Sequence, residues 1–183
     1  DLNAEQLDEL KKLVEEQGFT VITHCVDITD TKKLTEILES LAKEHKGIGI
    51  LVNNAGITSD RLMMQMDEDD YDIPMAINLR AAFMARKAVL RSMIRNKFGR
   101  IISLSSVAGV MGQAGSTNYA ASKAGLIGMT KSIVREAAKK DGQGDVWFRR
   151  FPETDEDAKE DGRDVQHVET DPGNVQPDGG YGY

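Results

Sequence analysis

Leu2, Leu7, Leu10, Leu13 and Val14 recur at the three- and four-residue steps of an amphipathic helix, with Gly18 as its stop. Phe19 to Ile28 is rich in β-branched residues and reads as a buried strand. Asp30 or Thr31 caps the next helix, whose apolar positions Leu34, Ile37, Leu38 and Leu41 carry it to about Lys46. A second strand, Ile48 to Val52, runs into Asn53-Asn54-Ala55-Gly56. A helical stretch follows from about Asp67 to Asn96, broken near Pro74 and Asn78 because proline removes a backbone donor. Arg100 to Leu104 is a third strand, and a Gly/Ser-rich loop then leads to a helix from about Thr117 to Lys140.

Helices alternate with short, continuously apolar strands, the pattern of strands covered on both faces. This order predicts an α/β fold with a doubly wound parallel sheet. In such sheets ligands bind beyond the carboxyl ends of the strands. The small and polar residues gather there: Asp27 after the first strand, Asn54 to Gly56 after the second, Ser105 and Ser106 after the third.

Composition narrows the class. The chain has 183 residues, 29% charged and 40% hydrophobic, the profile of a soluble globular domain. No apolar run approaches the roughly 18 residues of a membrane helix, and no signal-peptide pattern opens the chain, so the expected location is cytoplasmic. Cys25, the single cysteine, sits in an apolar run and is expected to be buried and inert; it offers no metal pattern. His24, His45 and His167 are scattered and read as structural or solvated. The net charge of -7 is uneven: from Asp141 onward eight Asp and four Glu face four basic residues, leaving the first 140 residues near neutral. An acidic total argues against a nucleic-acid surface.

The chemistry concentrates in Asn118-Tyr119-Ala120-Ala121-Ser122-Lys123. Four residues apart on a helix, Tyr119 and Lys123 share one face. An ammonium beside a phenol favours the phenolate and makes a better acid and base near neutral pH. The pair alone is a weak signal, because two common residues often meet at this spacing. Ser106 lies thirteen residues upstream, after an apolar strand, where a hydroxyl is also a common turn former. Asn53-Asn54-Ala55-Gly56 suits a positive-φ turn as well as the close approach of a ligand. Asp27 is either a solvated strand-end acid or an acceptor, and Asn78 either a helix-breaking core amide or part of a site. A serine hydrolase using Ser106 competes poorly, for no Gly-x-Ser-x-Gly elbow surrounds it.

Taken as an ordered set, these motifs resemble the short-chain dehydrogenase/reductase family from about Val21 to Lys140. The resemblance implies a Rossmann-like fold, with Asp27 and Ile28 at the adenine of a nicotinamide cofactor and Asn54, Ala55 and Gly56 along its adenosine half. The family's catalytic serine sits thirteen residues before the tyrosine, which selects Ser106 over Ser105. By resemblance Ser106 holds the substrate carbonyl, Tyr119 delivers the proton, Lys123 tunes Tyr119 and grips the nicotinamide ribose, and Asn78 orders a water in the proton relay. Asn54-Ala55-Gly56-Ile57-Thr58-Ser59-Asp60, Gly99-Arg100-Ile101-Ile102 and Lys123-Ala124-Gly125-Leu126-Ile127-Gly128 are similar to β-ketoacyl-acyl-carrier-protein reductases. Such enzymes reduce a 3-oxoacyl thioester to the 3-hydroxyacyl form with NADPH in fatty-acid synthesis. Acetoacetyl-CoA reductases, other short-chain alcohol dehydrogenases and, from another class, a non-catalytic scaffold are the alternatives. The implied partners are an acyl-carrier-protein or CoA thioester and further copies of the chain, as a homodimer or homotetramer pairing the helices at about Leu79–Asn96 and Thr117–Lys140.

The chain also departs from that family. Its glycine-rich phosphate turn and first two strands have no counterpart before Asp1, so the chain reads as an incomplete reductase, residues 1–140 forming the core. After Lys140 the family's next strand and Pro-Gly turn give way to Asp145-Val146-Trp147-Phe148-Arg149-Arg150 and an acidic tract, and 141–183 is expected to be an atypical, partly disordered segment. Pro74 is expected to distort its helix.

Overall fold

A computed structural model describes residues 1–141 and 145–151, with side chains through residue 136. Helix α1 (Ala4–Glu16) starts where Asn3 accepts the Gln6 N–H and stops before Gly18, whose φ of 80° suits glycine. Helix α2 (Thr31–Glu44) is capped by Asp30. Strand β1 (Ile50–Asn53) follows, then a single 3-10 turn at Met63–Gln65. Helix α3 (Glu68–Pro74) opens on a capping box between Asp67 and Asp70 and passes into a π-helical stretch, Met75–Arg80. Helix α4 (Ala81–Asn96) ends at Lys97, which has φ of 51°. Strand β2 (Phe98–Leu104), a short helix α5 (Ala108–Met111), the long α6 (Thr117–Asp141) and strand β3 (Asp145–Phe151) complete the order.

The sheet is parallel throughout, ordered β1-β2-β3, with Asn53 level with Ser103 and Leu104 level with Phe151. Each parallel step is bridged by helix, as the alternating pattern predicts. The core lies on one face, where Val89 and Met93 of α4 pack on Ile101, with Leu51, Leu90, Leu38 and Ile48 around them. Met93 crosses so close to Gly99 that a Cβ there would sit 2.5 Å from it, which is why no side chain fits. Helix α2 packs on α4, and α6 on the π-helical stretch and β3. Strand alternation turns Ile50 and Val52 the other way, and both stay more than half exposed.

Several expectations need correction. Phe19–Ile28 forms no strand: strand structure requires a hydrogen-bonded neighbour, and among the described residues no backbone ladder runs beside it. Among the described residues its backbone contacts with what precedes it are Phe19 N–H to the Val14 carbonyl at 3.2 Å, Val26 N–H to the Asp1 carbonyl at 2.9 Å and the Asp1 ammonium to the His24 carbonyl at 3.5 Å. Cys25 is exposed, its thiol directed at the Leu2 carbonyl, while its neighbour Val26 turns inward. Conversely, Asp145–Phe151 does form a strand, because the free edge of β2 supplies a complete parallel partner. The remainder of 141–183, for which partial disorder is the expectation, lies outside the described residues apart from Asp141 at the end of α6. The expected break at Pro74 and Asn78 is a change of winding rather than an interruption, for Pro74, Met75, Arg80 and Ala81 all keep right-handed helical angles. Proline ends α3, and the wider π-helical winding carries Asn78 inward to 2% exposure.

Candidate active site

The carboxyl ends of β1 and β2 and the first turns of α6 enclose a cleft of about 530 Å³, lined by Asn54, Gly56, Ile57, Thr58, Leu104, Tyr119 and Lys123. Tyr119 is half-buried on α6, and one turn later the Lys123 ammonium lies 5.4 Å from the centre of its ring. Lys123 itself is only 4% exposed. Its Nζ donates to the Leu104 carbonyl at 2.8 Å, so the tip of β2 orients the ammonium. Ser105 adds a second tie by donating to the Lys123 carbonyl at 3.0 Å. At Gly109 a Cβ would meet the Lys123 and Ala124 backbone at 2.8 Å, so only glycine lets α5 press against α6 there.

Ser106 is buried beside this contact, its Oγ accepting the Ala108 N–H at 3.2 Å at the start of α5. Asn78 approaches from beneath. Its Oδ1 accepts the Ile57 N–H at 2.8 Å, and its Nδ2 donates to the Ile57 carbonyl at 2.9 Å and to Ser122 Oγ at 3.1 Å. Asn78 thus holds the cleft wall at Ile57 and reaches α6 between Tyr119 and Lys123. A Cβ at Gly56 would lie 3.3 Å from Asn78 Oδ1 and 3.4 Å from Lys123 Nζ, in tight contact with both polar groups. Asn53, level with Ser103 on the next strand, donates to its hydroxyl at 3.1 Å and ties β1 to β2.

The structure therefore brings Asn54, Gly56, Tyr119 and Lys123 onto one cleft, with Asn78 bonded to its wall. Ser106 occupies the adjoining β2–α5 turn, and Ala55 is exposed between the two lining residues. Asp27 and Ile28 are not among the lining residues. Exposed Asp27 closes on its own turn, accepting the Thr29 N–H at 2.8 Å and its hydroxyl at 2.7 Å. That backbone bond first, then the hydroxyl, holds its carboxyl below the ordinary aspartate value.

Sequence reasoning missed Thr58 and Leu104, a wall and an anchor, because a backbone carbonyl leaves no motif and Thr58 is an ordinary loop residue. It missed Ser122 and Asn118 too, although both stand in the quoted run around Tyr119. Buried Arg86 also lacked a signal. Its Nη2 donates to Ser103 at 2.6 Å and Thr130 at 3.1 Å, while Nε and Nη1 have no hydrogen-bond partner among the described residues. Desolvation alone lowers its pKa to about 10. Among the described residues no group of three His, Cys, Asp or Glu side chains is placed to hold a metal, and no helix is long and apolar enough to cross a membrane.

Known proteins match most of the chain. A family model described as short chain dehydrogenase matches residues 1–141. A 3-oxoacyl-acyl-carrier-protein reductase of Thermotoga maritima is 41% identical over 138 residues, covering 75% of this chain and 56% of the relative. The corresponding enzymes of Salmonella typhimurium and Escherichia coli are 45% and 43% identical over 130 residues, 71% of this chain and 53% of each. The chain spans about half the length of these curated relatives.

Proposed function

The chain belongs to the short-chain dehydrogenase family, and on that premise we propose that it carries the proton-transfer residues of a reductase that converts a 3-oxoacyl thioester to the 3-hydroxyacyl form with NADPH. The observation that carries the reading is the Lys123 ammonium 5.4 Å from the Tyr119 ring, on a cleft shared with Asn54 and Gly56. Tyr119 holds the proton at Oη and releases it to the carbonyl oxygen, where negative charge develops. The buried ammonium favours the tyrosinate left behind. Ser106 donates its hydroxyl to the same oxygen. Asn78, bonded to Ile57 and Ser122, fixes the wall, and its part in ordering a water of the proton relay is carried over from the family resemblance.

The residues present fit the nicotinamide end of the cofactor. Lys123 and Tyr119 offer donors for ribose hydroxyls, and Gly56 leaves the approach open. When bound, the cofactor supplies the hydride. Asp27 and Ile28 are assigned to its adenine, Asn54, Ala55 and Gly56 to the adenosine half. The names of the relatives support the acyl-carrier protein as thioester carrier, NADPH rather than NADH rests on the family resemblance alone, and a cytoplasmic location belongs to the same proposal. A homodimer or homotetramer pairing α4 and α6 belongs to the same reading; on α4, Phe83 is 46% exposed.

The test is NADPH oxidation with acetoacetyl-CoA by the whole protein and its Tyr119→Phe variant. We expect the variant to lose on the order of a hundred- to ten-thousandfold in kcat, the usual contribution of a positioned acid. Equal rates remove the proton-donor assignment.

A further inference from the structure

Asn118 is the residue beside Tyr119 that the proposed proton transfer leaves without a role, yet it is fully buried, at 0% exposure. Its carboxamide accepts at one end and donates twice at the other. Oδ1 takes the Tyr119 N–H at 2.7 Å, one of the donors that a helix leaves unsatisfied in its first turn. Nδ2 donates to the Ser59 carbonyl at 2.9 Å and to the Asp70 carbonyl. The bonds fix the orientation of the amide, for only the NH2 end can serve two carbonyls.

Around this centre the loop after β1 is fastened on both sides. Toward α6, Ser116 Oγ donates to Asp60 at 2.7 Å and the Arg61 N–H donates to the Gly115 carbonyl at 2.7 Å. Toward α3, Ser59 donates to the Asp70 carboxylate at 3.1 Å, and Arg61 Nη1 meets the same carboxylate at 2.7 Å. Two buried asparagines therefore hold adjacent points of the cleft wall: Asn78 grips Ile57, and Asn118 grips Ser59. Thr58 lies between them and lines the cleft.

We propose that Asn118 is a positioning residue whose carboxamide locks the wall Ile57–Ser59 to the first turn of α6, so that Tyr119 meets the substrate carbonyl at a fixed separation. The proposal rests on the reductase reading for its catalytic consequence, but the clamp itself does not depend on it. Aspartate is the sharp probe. It is nearly the same shape, but an ionised carboxylate has no donor for Ser59 and Asp70 and repels both carbonyls. Protonated, it regains one donor.

Asn118→Asp is expected to lower kcat for acetoacetyl-CoA reduction on the order of a hundredfold at neutral pH, the cost of misplacing a reacting group by about an ångström. KM for NADPH should stay near the wild-type value. The loss should shrink as pH falls and the new carboxyl takes up its proton, a dependence that mere filling of space does not produce. Hydrogen exchange supplies the second readout: the Arg61 amide should exchange faster in the variant without cofactor or substrate. If Asn118→Asp does not fold, Ser116→Ala removes the neighbouring tie to Asp60 and should speed Arg61 exchange with roughly a threefold loss in kcat, without the recovery at low pH that belongs to the introduced carboxyl. Unaltered kcat, or an unaltered Arg61 exchange rate, in the folded variant overturns the proposal. Wild-type protein that turns over no keto thioester instead removes the reductase reading, and the exchange contrast still decides the clamp.

Discussion

The corner where α6 begins and the first 28 residues of the chain make opposite use of their side chains. At the corner, Asn118, Ser116, Asp60, Ser59, Arg61 and Asp70 satisfy one another within a few ångströms, and Asn118 and Ser116 are buried. In residues 1–28, α1 has a clear apolar stripe but no buried residue: Leu10 and Leu13 are about half exposed, and Phe19 is 67% exposed. Apolar periodicity is a request for a partner surface, and burial follows only where that surface is present. A polar cluster that closes on itself needs no further layer, because its donors and acceptors are already matched.

Truncations on the two sides give the largest contrast. Met93→Ala, which empties the core on Gly99 and Ile101, should cost about 2–5 kcal/mol in urea unfolding, whereas Leu13→Ala in α1 should change stability by less than about 0.5 kcal/mol. A loss of comparable size at Leu13 breaks the comparison, since it means that α1 is packed in solution. Gly109→Ala tests how tightly the corner is closed. Its Cβ has to displace the Lys123–Ala124 backbone, for a loss of about 1–3 kcal/mol read by thermal melting.

Arg86 sharpens the comparison from the other side, as a buried cation without an acid beside it among the described residues. Arg86→Met should leave stability unchanged or raise it by up to about 2 kcal/mol, because Ser103 keeps the Asn53 bond and Thr130 its bond to the Leu126 carbonyl. A loss above about 2 kcal/mol shows instead that the guanidinium ties to β2 and α6 dominate. Burial disfavours the charged form, so the penalty is complete below about pH 10 and eases as pH rises from there toward the ordinary arginine value.

Smaller effects should follow pH at the corner. The Asp67 backbone N–H chiefly, with help from Ser59 and Arg61, holds the Asp70 carboxyl below the ordinary aspartate range. A depressed acid contributes stability above its unfolded value and loses that contribution as pH falls through the folded one. Protection of the Ser59–Arg61 amides, taken relative to their intrinsic exchange rates, should therefore fall in acid below the ordinary range, and Asp70→Asn should abolish that loss of protection. Smallest of all is Lys11, 4.0 Å from Glu15 on the exposed face of α1: Lys11→Ala should shift the melting midpoint imperceptibly, within about 0.5 kcal/mol.

The chain's own pattern determined much of this. Period and capping residues locate α1, α2 and α6 to within a few positions, because helix signals are local: Asn3 and Asp30 cap the residues that follow them. The step from Tyr119 to Lys123 likewise follows from helical geometry alone. Tertiary structure decided the rest. Phe19–Ile28 has strand composition but no ladder, while Asp145–Phe151 has an acidic, unfamiliar context and a complete one, since a strand exists only with its neighbour. The same holds for Asn118 and the Leu104 carbonyl. What each does depends on a loop or strand tip many residues away, a distance that no local spacing encodes.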